Sequence, residues 1–133
     1  MKNLIIVTGG AGFVGSNLIN FLVNRTNYKI ISIDDYSAGT IKNHVKNKRV
    51  IYKKVHTRNI YRALKIYRKK IKTIFHFGEY SRIYQSFSEM NKCIQSNTIG
   101  TNAVFDFCLK NKIKLIYSAT SASIGNKGKD KNL

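Results

Sequence analysis

Leu4-Ile5-Ile6-Val7-Thr8-Gly9-Gly10-Ala11-Gly12-Phe13-Val14-Gly15 carries the chain from an apolar run, through spaced glycines, into a helical pattern. A strand, a glycine-rich turn and a helix in that order form a device for holding a pyrophosphate. Gly9 lets the chain turn tightly, Gly12 lets the backbone approach the phosphates, and Gly15 lets the helix pack close to the strand. The helix start then offers unpaired N–H groups and a partial positive charge to the anion. Glycine spacing alone is a weak signal. The strand before it and the helix after it supply the context a dinucleotide site requires.

Outward from this stretch the pattern alternates strand and helix. Leu4 to Thr8 reads as a buried first strand. Val14, Leu18, Phe21 and Leu22 form the apolar stripe of the helix after it. Lys29 to Ile33 is a second strand, ending in Asp34-Asp35, and Ser37 to Thr40 is a loop. Arg49 to Lys54 is a third strand, placed near an edge by its lysines. Asn59 is positioned to cap a helix with Ile60, Ala63, Leu64, Tyr67 and Ile71 on its buried face. Thr73 to Phe77 is a fourth strand, Ser88 to Asn111 a long helix, and Ile113 to Ser118 a fifth strand. Such repeated units imply an α/β fold: a Rossmann-type doubly wound parallel sheet of about five strands, covered on both faces. Residues 1–124 are expected to form this domain. Residues 125–133 read as a polar loop that stops before the remaining strands of such a sheet, so the fold is expected to be incomplete.

The 133 residues fit one domain, and 43% hydrophobic content is enough for a core. No apolar stretch reaches the ~20 residues needed to span a bilayer, and no signal peptide is recognisable. Cys93 and Cys108 lack metal-ligand or redox spacing and read as small apolar residues of a reduced, cytoplasmic protein. The formal charge is +18, from 24 basic and 6 acidic residues. No acid lies between Asp35 and Glu79, while that interval holds Lys46, Lys48, Arg49, Lys53, Lys54, Arg58, Arg62, Lys65, Arg68, Lys69, Lys70 and Lys72. A nucleic-acid surface would produce such a cluster. AT-rich compositional drift accounts for it more simply, given the abundant lysine, asparagine and isoleucine. Either way, loose association with nucleic acid at low salt is expected.

Asp34 lies 19 positions after Gly15, at the end of the second strand. A carboxylate there accepts hydrogen bonds from the adenosine ribose hydroxyls and repels a 2′-phosphate, which favours NAD over NADP. Asp35 and Ser37 are weaker neighbours of the same kind.

Thr8-Gly9-Gly10-Ala11-Gly12-Phe13-Val14-Gly15-Ser16-Asn17, Asp34-Asp35-Tyr36-Ser37, Phe75-His76-Phe77-Gly78, Asn97-Thr98-Ile99-Gly100-Thr101 and Tyr117-Ser118-Ala119-Thr120-Ser121 follow one another in order. Together they resemble the extended short-chain dehydrogenase/reductase family, which includes NAD-dependent nucleotide-sugar epimerases and dehydratases. The likeness covers essentially the whole chain but only the first part of such an enzyme. It implies NAD as cofactor, a nucleotide sugar as substrate and a homodimer as assembly. It also implies roles by position. Gly9, Gly12, Phe13, Val14 and Gly15 would cradle the pyrophosphate, and Asp34, with Asp35 beside it, would hold the ribose. Phe77 and Gly78 would lie near the cofactor's ribose and phosphates, and Asn97 would reach the cofactor from the long helix. Thr120 would be the catalytic hydroxyl that hydrogen-bonds the reacting sugar, with Ser118 and Ser121 as neighbours in sequence. No metal is implied.

The chain departs from the family pattern twice. His56 stands where the family usually carries an acid that contacts adenine. Glu79-Tyr80-Ser81-Arg82 replaces the usual small apolar residues, so Glu79 and Arg82 form either a subgroup contact or a local ion pair. The family's base is a tyrosine, helped by a lysine four residues later; free tyrosine titrates near ~10 and needs such help. No such pair follows Thr120. Tyr61 and Lys65 have the spacing but sit on the helix after the third strand, where surface packing is the simpler role. His76 reads as a core residue. The expected activity is hydride transfer to and from a sugar hydroxyl, with little turnover by this chain alone. The alternatives are an NAD-binding regulatory module and a basic nucleic-acid-binding protein.

Overall fold

The computed structural model describes residues 2–119. Thr120 and the polar tail lie outside them. Five strands, β1 (Leu4–Thr8), β2 (Lys29–Asp34), β3 (Val50–Lys54), β4 (Ile71–His76) and β5 (Lys114–Tyr117), form one sheet in the order β3-β2-β1-β4-β5. Every neighbouring pair is parallel. β3 is an edge strand, as its lysines imply. The order reverses between β1 and β4, where a crevice opens at the carboxyl ends of the strands.

The helices are α1 (Phe13–Arg25), α2 (Ile60–Leu64), α3 (Ile83–Ser86), α4 (Met90–Cys93) and α5 (Thr101–Lys110). Alternation along β1 divides the core. Leu4 and Ile6 point to the α2 and α5 side, packing with Ile60, Leu64, Val104, Phe107 and Cys108. Ile5 and Val7 point to the α1 side, packing with Ile19, Leu22 and Val23. A strand covered on both faces reads as an unbroken apolar run for this reason.

Several local expectations shift. Val14 and Phe21 are exposed, and α1 instead buries Gly15, Ile19, Leu22 and Val23. Gly15 has to face the strand, which rotates the stripe by about one residue. Ile71 belongs to β4 rather than to the preceding helix, which closes after five residues. Asn59 makes no side-chain cap; His56 caps a 3-10 turn at Thr57–Asn59 instead. The long helix is composite: α4 runs into a π-helical stretch, Ile94–Gly100, and then into α5. Gly100 lies at the junction, where a Cβ would fall on the Thr57 hydroxyl. Arg49 is not part of a free basic surface. Its guanidinium donates to the carbonyls of Val23 and Thr26, both at 2.5 Å, closing the C-terminus of α1.

Candidate functional site

A cleft of about 440 Å³ opens at the carboxyl end of the sheet. Gly9, Gly12, Phe13, Val14 and Gly15 line it from the first turn, Asp34 and Asp35 from the end of β2, and Phe77 and Gly78 from the end of β4. The structure therefore brings together nine of the ten residues predicted to hold a cofactor. The tenth, Asn97, is not among the lining residues. Its amide clasps the backbone of Tyr80, accepting from the N–H at 2.6 Å and donating to the carbonyl at 2.9 Å. It braces the loop after β4. Thr120 lies outside the described residues.

The glycines answer to geometry. Gly9 has φ +69°, and a Cβ there would stand 2.6 Å from the carbonyl oxygen of Phe77. The turn thus abuts the end of β4 with no room for a side chain. A Cβ on Gly15 would fall on the Gly9 carbonyl, whereas one on Gly12 would meet only that oxygen at 3.2 Å and otherwise enter open space. Gly9 and Gly15 are required by the fold, and Gly12 leaves the cradle open. The first N–H groups of α1 have no acceptor within the helix and face this end. A diphosphate has the charge and shape to take them.

Asp34 is buried and spends both carboxylate oxygens on the backbone. Oδ2 accepts from Ala11 N–H at 2.9 Å and Oδ1 from Tyr36 N–H at 2.8 Å. It ties the glycine turn to the end of β2. Each oxygen keeps a further lone pair for a ligand hydroxyl. Tyr36, at φ +63°, takes a strained bend that these bonds support. Its hydroxyl is hydrogen-bonded to His44 Nε2 at 2.9 Å, and His44 stacks on Tyr52. Sequence reasoning missed this aromatic clamp, because its members are far apart and no spacing rule links them. Asp35 Oδ1 accepts from Ser37 N–H and Oγ–H, at 2.9 and 2.7 Å. His56 Nδ1 accepts from Arg58 N–H at 3.2 Å, which leaves the neutral ring's proton on Nε2. Burial lowers the His56 pKa, against the pull of Asp35.

Past the strand-order reversal lies a second polar system. Thr8 Oγ1 accepts from the N–H groups of Phe77 and Gly78, at 3.2 and 3.1 Å. Its own proton therefore goes to His76 Nδ1, 2.6 Å away. His76 is fully buried, and Nε2–H faces Thr101 Oγ1 at 2.9 Å. Thr101 donates onward to Glu79 Oε1 at 2.9 Å, and the Tyr117 hydroxyl donates to the same oxygen at 2.8 Å. Burial depresses the His76 pKa, opposed by Glu79, and keeps the ring neutral. The bond to Glu79, then burial, raises that of Tyr117. His76 is thus a core residue with both nitrogens satisfied.

Tyr61 and Lys65 do not line the cleft. The Tyr61 hydroxyl donates to Asp106 at 2.9 Å, and its ring packs edge-on against Phe107. Burial pushes the Cys108 thiol up to about 11, so it is unreactive. Among the described residues no group of acids, histidines and cysteines could hold a metal, and no helix is long and apolar enough to cross a membrane.

Residues 5–132 match the profile of the NAD dependent epimerase/dehydratase family. A dTDP-D-glucose 4,6-dehydratase of Dictyostelium discoideum is 31% identical over 92% of this chain and 30% of its own length. An ADP-L-glycero-D-manno-heptose-6-epimerase of Brachyspira hyodysenteriae is also 31% identical, over 92% of this chain and 39% of its own. The chain thus spans about a third of the length of these relatives. Among solved structures, the UDP-glucose 4-epimerase of Thermotoga maritima superposes with a TM-score of 0.78 at 26% identity, over 88% of this chain and 38% of that one. A UDP-N-acetylglucosamine 4-epimerase of Methanobrevibacter ruminantium gives 0.81 at 27%, over 98% and 42%.

Proposed function

The chain belongs to the NAD dependent epimerase/dehydratase family, and from that premise we propose that its cleft is the NAD-binding part of a nucleotide-sugar epimerase or dehydratase. The observation that carries this reading is the joint between Asp34 and the glycine turn: one buried carboxylate bonded to Ala11 N–H, beside an open Gly12 cradle and a helix start. The pyrophosphate rests on Gly9, Gly12, Phe13, Val14 and Gly15, and the adenosine ribose hydroxyls on Asp34, with Asp35 next to it. Phe77 and Gly78 flank the other ribose. NAD, when bound, supplies the hydride acceptor and donor. The protein's part in the described residues is to orient it and to exclude a 2′-phosphate. The relatives are named for sugar nucleotides, which points to a nucleotide sugar as substrate, and Thr120 is proposed to bind its reacting hydroxyl.

The same reading gives no turnover to these 133 residues alone. Their single Tyr-x-x-x-Lys, Tyr61 with Lys65, does not line the cleft, and the Tyr61 hydroxyl is bonded to Asp106 of α5. Reduced cysteines support a cytoplasmic location. A homodimer, and salt-sensitive association with nucleic acid through the exposed lysines, complete the proposal.

Calorimetric titration tests it. NAD is expected to bind at one site and NADP at least tenfold more weakly (about 1.4 kcal/mol). Equal affinity for the two removes Asp34 from the ribose site, and binding of neither refutes the cofactor reading. Binding of DNA with a steep salt dependence and none of NAD would favour the nucleic-acid alternative.

A further inference from the structure

Glu79 is a cleft-lining carboxylate that the glycine turn and Asp34 leave unexplained. It follows β4, on the opposite side of the strand-order reversal from Asp34. In a doubly wound sheet the two halves of a dinucleotide lie on opposite sides of that reversal. With the adenosine half on the β2 side, the other half lies beside β4 and β5.

Its surroundings fix the orientation of the Glu79 carboxylate. Oε1 receives two hydrogen bonds, from Thr101 and Tyr117. Thr101 is itself oriented by fully buried His76, and His76 by Thr8. Thr8 accepts from the N–H groups of Phe77 and Gly78 and so turns its own proton to the ring, while the Thr101 hydroxyl lies nearer to Glu79, at 2.9 Å, than to the Ser96 carbonyl at 3.3 Å. The chain ends at backbone N–H groups, so it is a brace and carries no proton through. Oε2 has no hydrogen-bond partner among the described residues. Of the cations on the same wall, Lys92 is paired with Glu89 at 2.5 Å, and Arg82 is exposed.

We propose that Glu79 sets the preference of this site for the oxidised form of the cofactor, by presenting a fixed negative charge to the nicotinamide half. The inference rests on the NAD reading above. An oxidised nicotinamide ring carries a positive charge and the reduced ring carries none, so a carboxylate on the wall attracts the first and is indifferent to the second. The brace through Thr101, His76 and Thr8 keeps that charge in place while the cofactor exchanges or changes state. Glu79 is therefore a specificity-determining residue, acting on the ratio of the two affinities.

The test is the affinity of the whole chain for NAD+ by calorimetry and for NADH by its fluorescence, in wild type and Glu79→Gln. The substitution keeps shape and an acceptor for Thr101 or Tyr117, and removes the charge. The ratio in favour of NAD+ is expected to fall about three- to tenfold, the effect of one partly screened charge, with NADH affinity held within about twofold. Equal weakening of both forms would show a purely structural residue and overturn the proposal, as would an unchanged ratio. If Glu79→Gln does not fold, the ratio is read on Glu79→Asp, which withdraws the charge by one methylene. A smaller fall in the same direction supports the proposal and an unchanged ratio overturns it. Failure of the wild type to bind either form refutes the cofactor reading itself.

Discussion

Replacing Asp34 by asparagine separates the structural work of this carboxylate from its work on a ligand. Asp34 is 8% exposed and holds Ala11 N–H at 2.9 Å and Tyr36 N–H at 2.8 Å. An asparagine can accept only through its single oxygen. Its NH2 group would face one of the two backbone N–H groups, donor against donor. One charge-assisted bond is lost and a buried N–H is left without a partner, a cost of about 2–3 kcal/mol. A domain of this size has about 5–15 kcal/mol in total, so the Asp34→Asn chain should still fold. Its thermal midpoint should fall by about 6–12 °C, at about 3–4 °C per kcal/mol. Thermal unfolding followed by circular dichroism, with and without NAD, gives both quantities. The NAD-induced rise in midpoint should shrink as well, because the remaining acceptor serves the backbone. An unchanged midpoint would mean that the carboxylate does not hold the turn, and the joint described here would be wrong. A lowered midpoint with a full NAD-induced rise would keep the structural role and refute the ribose role.

Ser32 Oγ is buried and finds no partner among the described residues, so Ser32→Ala should stabilise the fold by about 1 kcal/mol in urea unfolding; a loss would show a missed bond. Arg49→Ala should destabilise by about 1–2 kcal/mol, and Arg49→Lys nearly as much, because the fork that reaches Val23 and Thr26 is lost; full stability in Arg49→Lys would contradict the capping role. His76 has a lowered pKa in the folded state. The unfolded chain therefore takes up its proton first: stability is complete above the unfolded value of about 6.5 and falls as pH drops from there toward the folded value. Urea midpoints between pH 7.5 and 5.5 should show this fall in wild type and a shallower one in His76→Asn, and parallel curves would exclude His76 as its source.

Much of the site could be read from local sequence. The glycine turn and Asp34 belong to short segments whose conformation is dictated nearby: Gly9 by its positive φ, Gly15 by the close helix, Asp34 by its place at the end of an apolar strand. Phe77 and Gly78 were legible as the residues that leave the carboxyl end of β4. Asn97 was legible as a polar residue on a helix and illegible in its partner, since its hydrogen bonds run to Tyr80 on another element. Hydrophobicity alone ranks Val14 and Phe21 with Ile19 and Val23, so it places the stripe of α1 one step from the buried face. Close packing of Gly15 against the turn decides which of them face the sheet.

The alternation of apolar runs with helical patterns, the parallel sheet and the glycine turn were determined by the sequence itself, because strand and helix periodicity and glycine backbone freedom act over a few residues. The joining of Thr8, His76, Thr101, Glu79 and Tyr117 into one directed chain was decided only by the tertiary structure. The same holds for Arg49 at the end of α1, which composition counts among free surface cations. Hydrogen-bond direction and charge pairing depend on which strands lie side by side, and β1 meets β4 only after more than sixty residues of intervening chain have folded.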